Sequence, residues 1–203
     1  MDKWKTAQEW EAKWHGNCIN SFHEEQKQLV YAEKMGLVRT PTPKTPFSFD
    51  LKDKSILDIG SGPYSLLLKC VNFKNSFVTD PLMNKFPQWT KERYKEAGLF
   101  PMSIAGEDLL KHKVDKIFDE VWIYNVLEHV RDPKKIIKNA RKLGKVIRIF
   151  EWLETPFHVG HPQTLTQKDL DKWLGGEGKV EIINREGTKG KCYYGVFKGD
   201  HYE

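Results

Sequence analysis

After about residue 47 the chain alternates short apolar runs with amphipathic stretches. Ser55–Ile59, Phe77–Thr79, Met102–Ala105, Val121–Tyr124 and Val146–Phe150 are too short for helices and lie between turn-forming residues, which predicts strands. Leu66–Asn72, Lys85–Ala97, Leu109–Lys113 and Pro133–Leu143 fit the helices between them. The last is the clearest: Asp132 suits the N-cap, Pro133 the first helical position, and Ile136, Ile137, Ala140 and Leu143 share one apolar face. Strand and helix in alternation predict a parallel sheet with right-handed crossovers. Near the C-terminus, Thr166 with Asp169 resembles a capping box that opens a short helix ending at Gly175-Gly176. Two further strands, Val180–Ile183 and Tyr193–Phe197, form an antiparallel pair across a Gly-containing turn, bringing the predicted sheet to seven strands.

The first 35 residues differ. Trp4, Trp10 and Trp14 precede a second helical stretch in which Phe22, Leu29 and Val30 fall on one stripe. His15, Asn17 and Asn20 lie between the two and read as solvated loop residues. Pro41, Pro43 and Pro46 then impose an extended path on the connection. The division is a helical lid with a Pro-rich linker over 1–46, and an α/β unit over 47–203.

The sharpest chemical signal is Ile56-Leu57-Asp58-Ile59-Gly60-Ser61-Gly62-Pro63, a strand that runs into a glycine-rich turn. Glycine belongs where the backbone turns tightly and a ligand comes close. A dinucleotide fingerprint would need a third glycine where Ser65 stands, and the charge of Asp58 would oppose a phosphate at the helix N-terminus. The carboxylate suits a ligand that carries positive charge.

Asp58-Ile59-Gly60-Ser61-Gly62 resembles the acid-x-Gly-x-Gly motif of the class I S-adenosylmethionine-dependent methyltransferases. Val78-Thr79-Asp80 resembles the end of that family's second strand, and Ala105-Gly106-Glu107-Asp108-Leu109 the segment that edges the adenine. Phe118 to Val130, with its Leu-Glu-His-Val run, resembles the fourth-strand motif, and Asp132-Pro133 follows as in the family. The likeness covers about residues 50 to 200, is similar to small-molecule enzymes of the ubiquinone-biosynthesis type, and excludes the N-terminal helices. Two departures stand out: Tyr64 replaces a usual third glycine, and Ala105 a frequent aspartate.

The resemblance implies a Rossmann-like three-layer α/β sandwich that holds S-adenosylmethionine and releases S-adenosylhomocysteine. Asp58, Gly60, Ser61 and Gly62 would form its loop, Asp80, Pro81 and Leu82 the ribose side, Gly106 and Glu107 the adenine edge, and Asn125 and Val126 the far wall. Asp80 read alone is a turn or cap residue; at this distance after the loop, ribose binding is the better reading. Asp108 reads as a first-turn acid favoured by a helix dipole. His129, with Glu128, is the candidate for activating an acceptor, either as a base near neutral pKa or merely as a cap for the following helix. Relatives with a Glu-His pair here bind a divalent ion, with a histidine from beyond the fifth strand; His158 and His161 are available, but Asn125 stands where those relatives carry another acid, so no metal is assigned.

Composition narrows the setting. No apolar run approaches the roughly 18 residues of a membrane span, and the start Met1-Asp2-Lys3-Trp4-Lys5 lacks a signal peptide's apolar core. The expectation is a cytoplasmic enzyme with a small-molecule acceptor and no membrane partner. Three cysteines, Cys18, Cys70 and Cys192, without a C-x-x-C pair argue against disulfides and a thiolate zinc site. A net charge of +5, spread along the chain, permits nucleic acid without indicating it. An RNA or other nucleic-acid methyltransferase is the alternative, though Asn125-Val126-Leu127-Glu128 lacks the Asn-Pro-Pro-aromatic motif of amino-methylating DNA enzymes. A silent methyltransferase-like subunit is a third, opposed by the intact glycine loop and Asp80.

Overall fold

The computed structural model describes residues 3–16, 21–40, 48–112, 114, 116–185 and 188–202. Its helices are α1 (Lys3–Gly16), α2 (Ser21–Lys34), α3 (Gln88–Glu96), α4 (Pro133–Leu143) and α5 (Gln167–Leu174). The strands are β1 (Phe49–Lys54), β2 (Ile56–Ile59), β3 (Cys70–Phe73), β4 (Phe77–Thr79), β5 (Phe100–Met102), β6 (Phe118–Tyr124), β7 (Gly144–Trp152), β8 (Lys179–Arg185) and β9 (Thr188–Lys198). The prolines at 41, 43 and 46, with Asn17 and Asn20, lie outside the described residues, as does the side chain of Phe22.

Seven strands form one sheet in the order β5-β4-β2-β6-β7-β9-β8. The first five are parallel, and β9 runs antiparallel to both of its neighbours. This is the predicted Rossmann-like α/β sandwich with its C-terminal antiparallel pair. Every residue of β2 is buried, as a central strand covered on both faces requires. Ile56, Val78, Trp122 and Phe150 face a layer that includes Tyr31 and Met35 near the end of α2 and Tyr94 of α3. Leu57, Ile59, Val121, Ile123 and Ile147 face Ile136, Ile137 and Ala140 of α4 and Leu170 and Leu174 of α5.

The caps act as their residue types predict. Asp132 accepts Lys135 N–H at 2.9 Å to start α4, and Thr166 accepts Asp169 N–H at 3.2 Å to start α5. Gly175 ends α5 at φ 74, in the left-handed region that glycine adopts without strain.

Three predicted elements take other forms. Leu66–Asn72 is not a helix: a 3-10 turn, Leu66–Lys69, is capped by Ser65 accepting Leu67 N–H, and the chain then enters β3, which pairs in parallel with β1. The apolar run Leu66-Leu67-Leu68 gave a helical period, but an open edge on β1, a strand absent from the sequence prediction, drew the next residues into a ladder. Met102–Ala105 also shifts, with β5 ending at Met102. Gly106 then opens a 3-10 turn, Gly106–His112, in place of the helix expected from Leu109. Lys113, its expected end, lies outside the described residues. Pro101 is tolerated because β5 is an edge strand. Among the described residues no helix is long and apolar enough to cross a membrane.

Candidate functional site

The strand order reverses between β2 and β6, so their C-terminal ends open a crevice at the switch point where α/β sheets bind ligands. A cavity of about 850 Å³ occupies it, with Gly60, Gly62 and Asp80 on one wall and Asn125, Glu128 and His129 on another. The volume falls within the range of small-molecule sites.

The glycine loop is pinned from below. Gly60 N–H and Ser61 N–H both donate to Thr79 O, at 2.7 and 3.0 Å. Gly60 has φ 74, and a Cβ there would come within 2.6 Å of both Val126 methyls, so the tight turn and the close approach both require glycine. Asp58 lies beneath the loop with no exposed surface. Its Oδ2 accepts Ser65 Oγ–H at 2.5 Å and Tyr124 O–H at 2.7 Å, while Oδ1 is buried without a partner. Burial pushes this carboxyl up to about 7, only partly offset by those two donors. Tyr124 and Tyr94 complete the support: their hydroxyls accept Leu66 N–H and Ser65 N–H, and Tyr94 donates to Gly62 O at 2.8 Å. Sequence reading missed both tyrosines and the role of Ser65, because each acts through a non-local contact.

Asp80 follows β4 and faces the cavity. It accepts Gly62 N–H on Oδ2 at 3.1 Å and Leu82 N–H on Oδ1 at 2.8 Å. The turn role leaves room for a ligand, since each carboxylate oxygen keeps a further lone pair. Burial raises its carboxyl above the usual range, against the pull of the Leu82 and Gly62 amides. Ser61, Pro81, Leu82 and Val126 also line the cavity.

Gly106 and Glu107 sit apart from the main cavity, on a crevice of only about 20 Å³ shared with Trp4, Gln8, Pro81 and Val130. Glu107 is turned to the protein: its Oε1 accepts Arg131 N–H at 2.9 Å and Asp132 N–H at 3.3 Å, fixing the entry to α4. The crevice is closed by α1, where the Arg131 guanidinium stacks 4.5 Å from the Trp4 ring centre. Gln8 carries a buried Oε1 with no partner and borders both spaces.

On the opposite wall, Asn125 follows β6 at φ 55, a left-handed conformation that asparagine tolerates better than most residues. The turn puts Glu128 and His129 on a 3-10 segment, Leu127–His129, held from behind by Glu151 of β7. Glu151 accepts Val126 N–H on both oxygens at 3.1 Å and Leu127 N–H at 3.1 Å. His129 Nδ1 lies 2.8 Å from Gly160 O and 3.1 Å from Glu11 Oε1 of α1. His158 and His161 pair through their backbones in a tight turn. That turn carries His161 Nε2 to 3.8 Å from Glu128 Oε1, while the His158 ring meets Trp10 edge-on at 5.1 Å. Glu128, His129 and His161 thus bring one nitrogen or oxygen each within 4.8 Å of one another, and Glu128 Oε2 is buried without a partner. Such a cluster can take an acceptor's proton or a cation, and no ligand role is assigned to it.

Trp10, Trp14 and Trp152 line the large cavity. His15 is not a solvated loop residue: it belongs to the last turn of α1, where its Nε2 lies 3.2 Å from Glu11 Oε2 and it too faces the cavity.

No known family profile matches the chain, and no curated protein matches it in sequence. In structure it is similar to the N-methyltransferase NodS from Bradyrhizobium japonicum, solved with S-adenosyl-L-homocysteine, at 12% identity and TM-score 0.62 over 99% of this chain and 100% of that one. It is also similar to an O-methyltransferase family protein from Burkholderia thailandensis, at 10% identity and TM-score 0.53 over 73% of this chain. That match covers 52% of the Burkholderia protein, about half of its length. A cyclopropane-fatty-acyl-phospholipid synthase-like protein from Lactobacillus casei matches at 15% identity and TM-score 0.57, covering 80% of this chain and 71% of that one. At such identities the likeness is one of architecture: the chain has the Rossmann-like fold that these proteins share.

Proposed function

We propose that this chain is an S-adenosylmethionine-dependent methyltransferase acting on a hydroxyl, carboxyl or amine of a small molecule. The observation that carries the reading is the cavity at the switch point, where a glycine loop and Asp80 face a Glu-His pair. The residues suit this cofactor better than a dinucleotide. Asp80 turns a carboxylate toward the cavity beside the loop, Gln8 borders the cavity with an unpartnered Oε1 that accepts and cannot donate, and these acceptors suit ribose hydroxyls and amino groups rather than a phosphate.

When bound, the cofactor supplies a methyl group on a sulfonium, open to in-line displacement. The chain's own task is then to hold the acceptor in line and exclude water. Gly60 and Gly62 admit the ligand to the backbone, and Asp80 accepts ribose hydroxyls while bracing Gly62. His129, kept in place by Glu151 beneath its turn, takes the acceptor's proton. Trp10, Trp14 and Trp152 give the acceptor an apolar enclosure.

Titration calorimetry of the purified chain with S-adenosylmethionine and its demethylated product tests the cofactor assignment, and a screen of hydroxyl, carboxyl and amine acceptors with labelled methyl tests the rest. Binding in the micromolar range is expected; no heat and no protection from unfolding by either compound would refute the reading.

A further inference from the structure

The N-terminal helix brings into the cleft a carboxylate that the glycine-loop fold does not itself contain. Glu11 lies on the cavity side of α1, one turn beyond Gln8, with Oε2 3.2 Å from His15 and Oε1 3.1 Å from His129 Nδ1. The same Nδ1 lies 2.8 Å from Gly160 O. A carbonyl only accepts, so Nδ1 carries the proton and Nε2 is the basic nitrogen of the neutral ring. Nε2 faces Glu128 Oε1 at 3.5 Å, too far for a hydrogen bond of normal length, and so stays available to an incoming group.

Resting on the methyl-transfer reading, we propose that Glu11 is a positioning residue for acceptor activation: with Gly160 O it holds the His129 imidazole so that Nε2 meets the acceptor, and its charge stabilises the imidazolium that forms. For a hydroxyl acceptor, the proton passes to Nε2 and the electron pair left on oxygen forms the new bond to the methyl carbon. The carbon–sulfur bond breaks with its pair on sulfur, and the imidazolium later returns its proton to water. A general base oriented and charged by a carboxylate on its far nitrogen is a recurrent arrangement in acyl-transfer enzymes. Here the carboxylate arrives on α1, so the base is complete only while that helix is docked over the cleft.

The groups that face His129 are Glu11 from α1, Glu128 from its own turn, Glu151 from β7 and His161 from the turn beyond β7, while His15 meets Glu11 and His158 meets His161. Burial alone would push Glu11 up and His129 down. The hydrogen bond and charge between them prevail, with help from Glu128 and the Gly160 carbonyl for His129 and from His15 for Glu11, leaving Glu11 at about 2 and His129 at about 9.

The test is the His129 ring titration by NMR in the full-length protein saturated with S-adenosylhomocysteine, for wild type and Glu11→Gln, beside the pH profile of turnover. In wild type the midpoint is expected near 9, against an ordinary 6.5. In Glu11→Gln it should fall by at least about one unit, with kcat reduced at least tenfold, the acid limb of the profile moved to lower pH, and product affinity within about twofold. A wild-type midpoint near 6.5 would overturn the proposal without any variant. So would an unshifted midpoint in folded Glu11→Gln, or a loss confined to product affinity, which would leave Glu11 as a latch only. Turnover abolished by chelation and restored by a divalent ion would replace the pair with a metal site and overturn it too. A wild-type chain that binds no S-adenosylhomocysteine refutes the methyl-transfer reading itself, which an unshifted midpoint does not.

Discussion

Glu151→Ala should be among the most damaging single changes outside the glycine loop, although Glu151 has no exposed surface and touches no cavity. Its carboxylate is the acceptor for the amides of Val126 and Leu127. Removing it strands two buried donors at about 1–3 kcal/mol each. Against this stands the cost of burying the acid, which pushes its carboxyl up from 4.5 to about 8. A folded value above the unfolded one means that the group's stabilisation is complete below about pH 4.5 and is lost as pH rises through about 8. The difference, 8 − 4.5 = 3.5 units, caps that loss at roughly 5 kcal/mol. Glu151→Ala should therefore lose about 2–5 kcal/mol at pH 5, with a narrowing gap to wild type at pH 8. Glu151→Gln separates shape from charge. An amide oxygen in the Oε2 position still accepts both Val126 and Leu127, so this variant should match or exceed wild type at pH 8 and show a flatter pH dependence. Urea unfolding of all three proteins at pH 5, 6.5 and 8, compared at a common m-value, measures it. Alanine as stable as wild type at every pH, or glutamine with an unchanged pH slope, would refute the reasoning.

Asp80→Ala should weaken cofactor binding by about 1.5–3 kcal/mol, because a charged acceptor is lost to the ligand and the brace on Gly62 is lost to the loop; an unchanged dissociation constant by calorimetry in the folded variant would dismiss the ribose role. Gly60→Val should abolish binding and lower Tm, since φ 74 and a Cβ 2.6 Å from the Val126 methyls leave no room for it, and retained affinity would put the pocket elsewhere. His129→Gln should cut turnover by roughly 10²–10⁴-fold with cofactor affinity intact and chelators without effect; full activity in that variant would remove His129 from the reaction. For wild type, kcat/KM should rise with pH toward about 9, because the imidazolium must lose its proton before it can act as a base, and a profile already flat at pH 7 would show that the Glu11 pair is not intact in the working enzyme.

The parts of the fold that were legible in the sequence are those written in local chemistry. Asp132-Pro133 and Thr166-x-x-Asp169 start helices by capping amides three residues away, and Gly60 answers to its own backbone angle. What escaped depends on partners distant in the chain. Leu66 to Asn72 has a helical period, yet Cys70 to Phe73 become a strand because β1 lies beside them. Glu151 looks like one polar position on an alternating strand, and only the neighbouring exit of β6 makes it a double acceptor. Glu11 belongs to a helix with many polar residues and no clean apolar face, and nothing in its neighbourhood announces His129. The glycine-loop motif located one wall of the cavity, whereas the rest of the lining comes in part from α1, β7 and the His158–His161 turn, which no linear motif joins.

The crevice beneath Trp4 bears on how any cofactor affinity for this protein should be interpreted. Gly106 and Glu107 border a space of about 20 Å³, far too small for a purine, while α1 lies over it with Trp4 against Arg131. A ligand that needs this space can bind only the fraction of molecules in which the first turn of α1 has swung Trp4 off Arg131, with Glu11 about two turns further on still beside His129, so the apparent dissociation constant is the intrinsic one divided by that fraction. Weakening the Trp4–Arg131 stack, as in Trp4→Ala, would then tighten apparent binding while removing a contact. The Trp4 ring would act as a competitor tethered to its own target, present at a concentration that dilution cannot change.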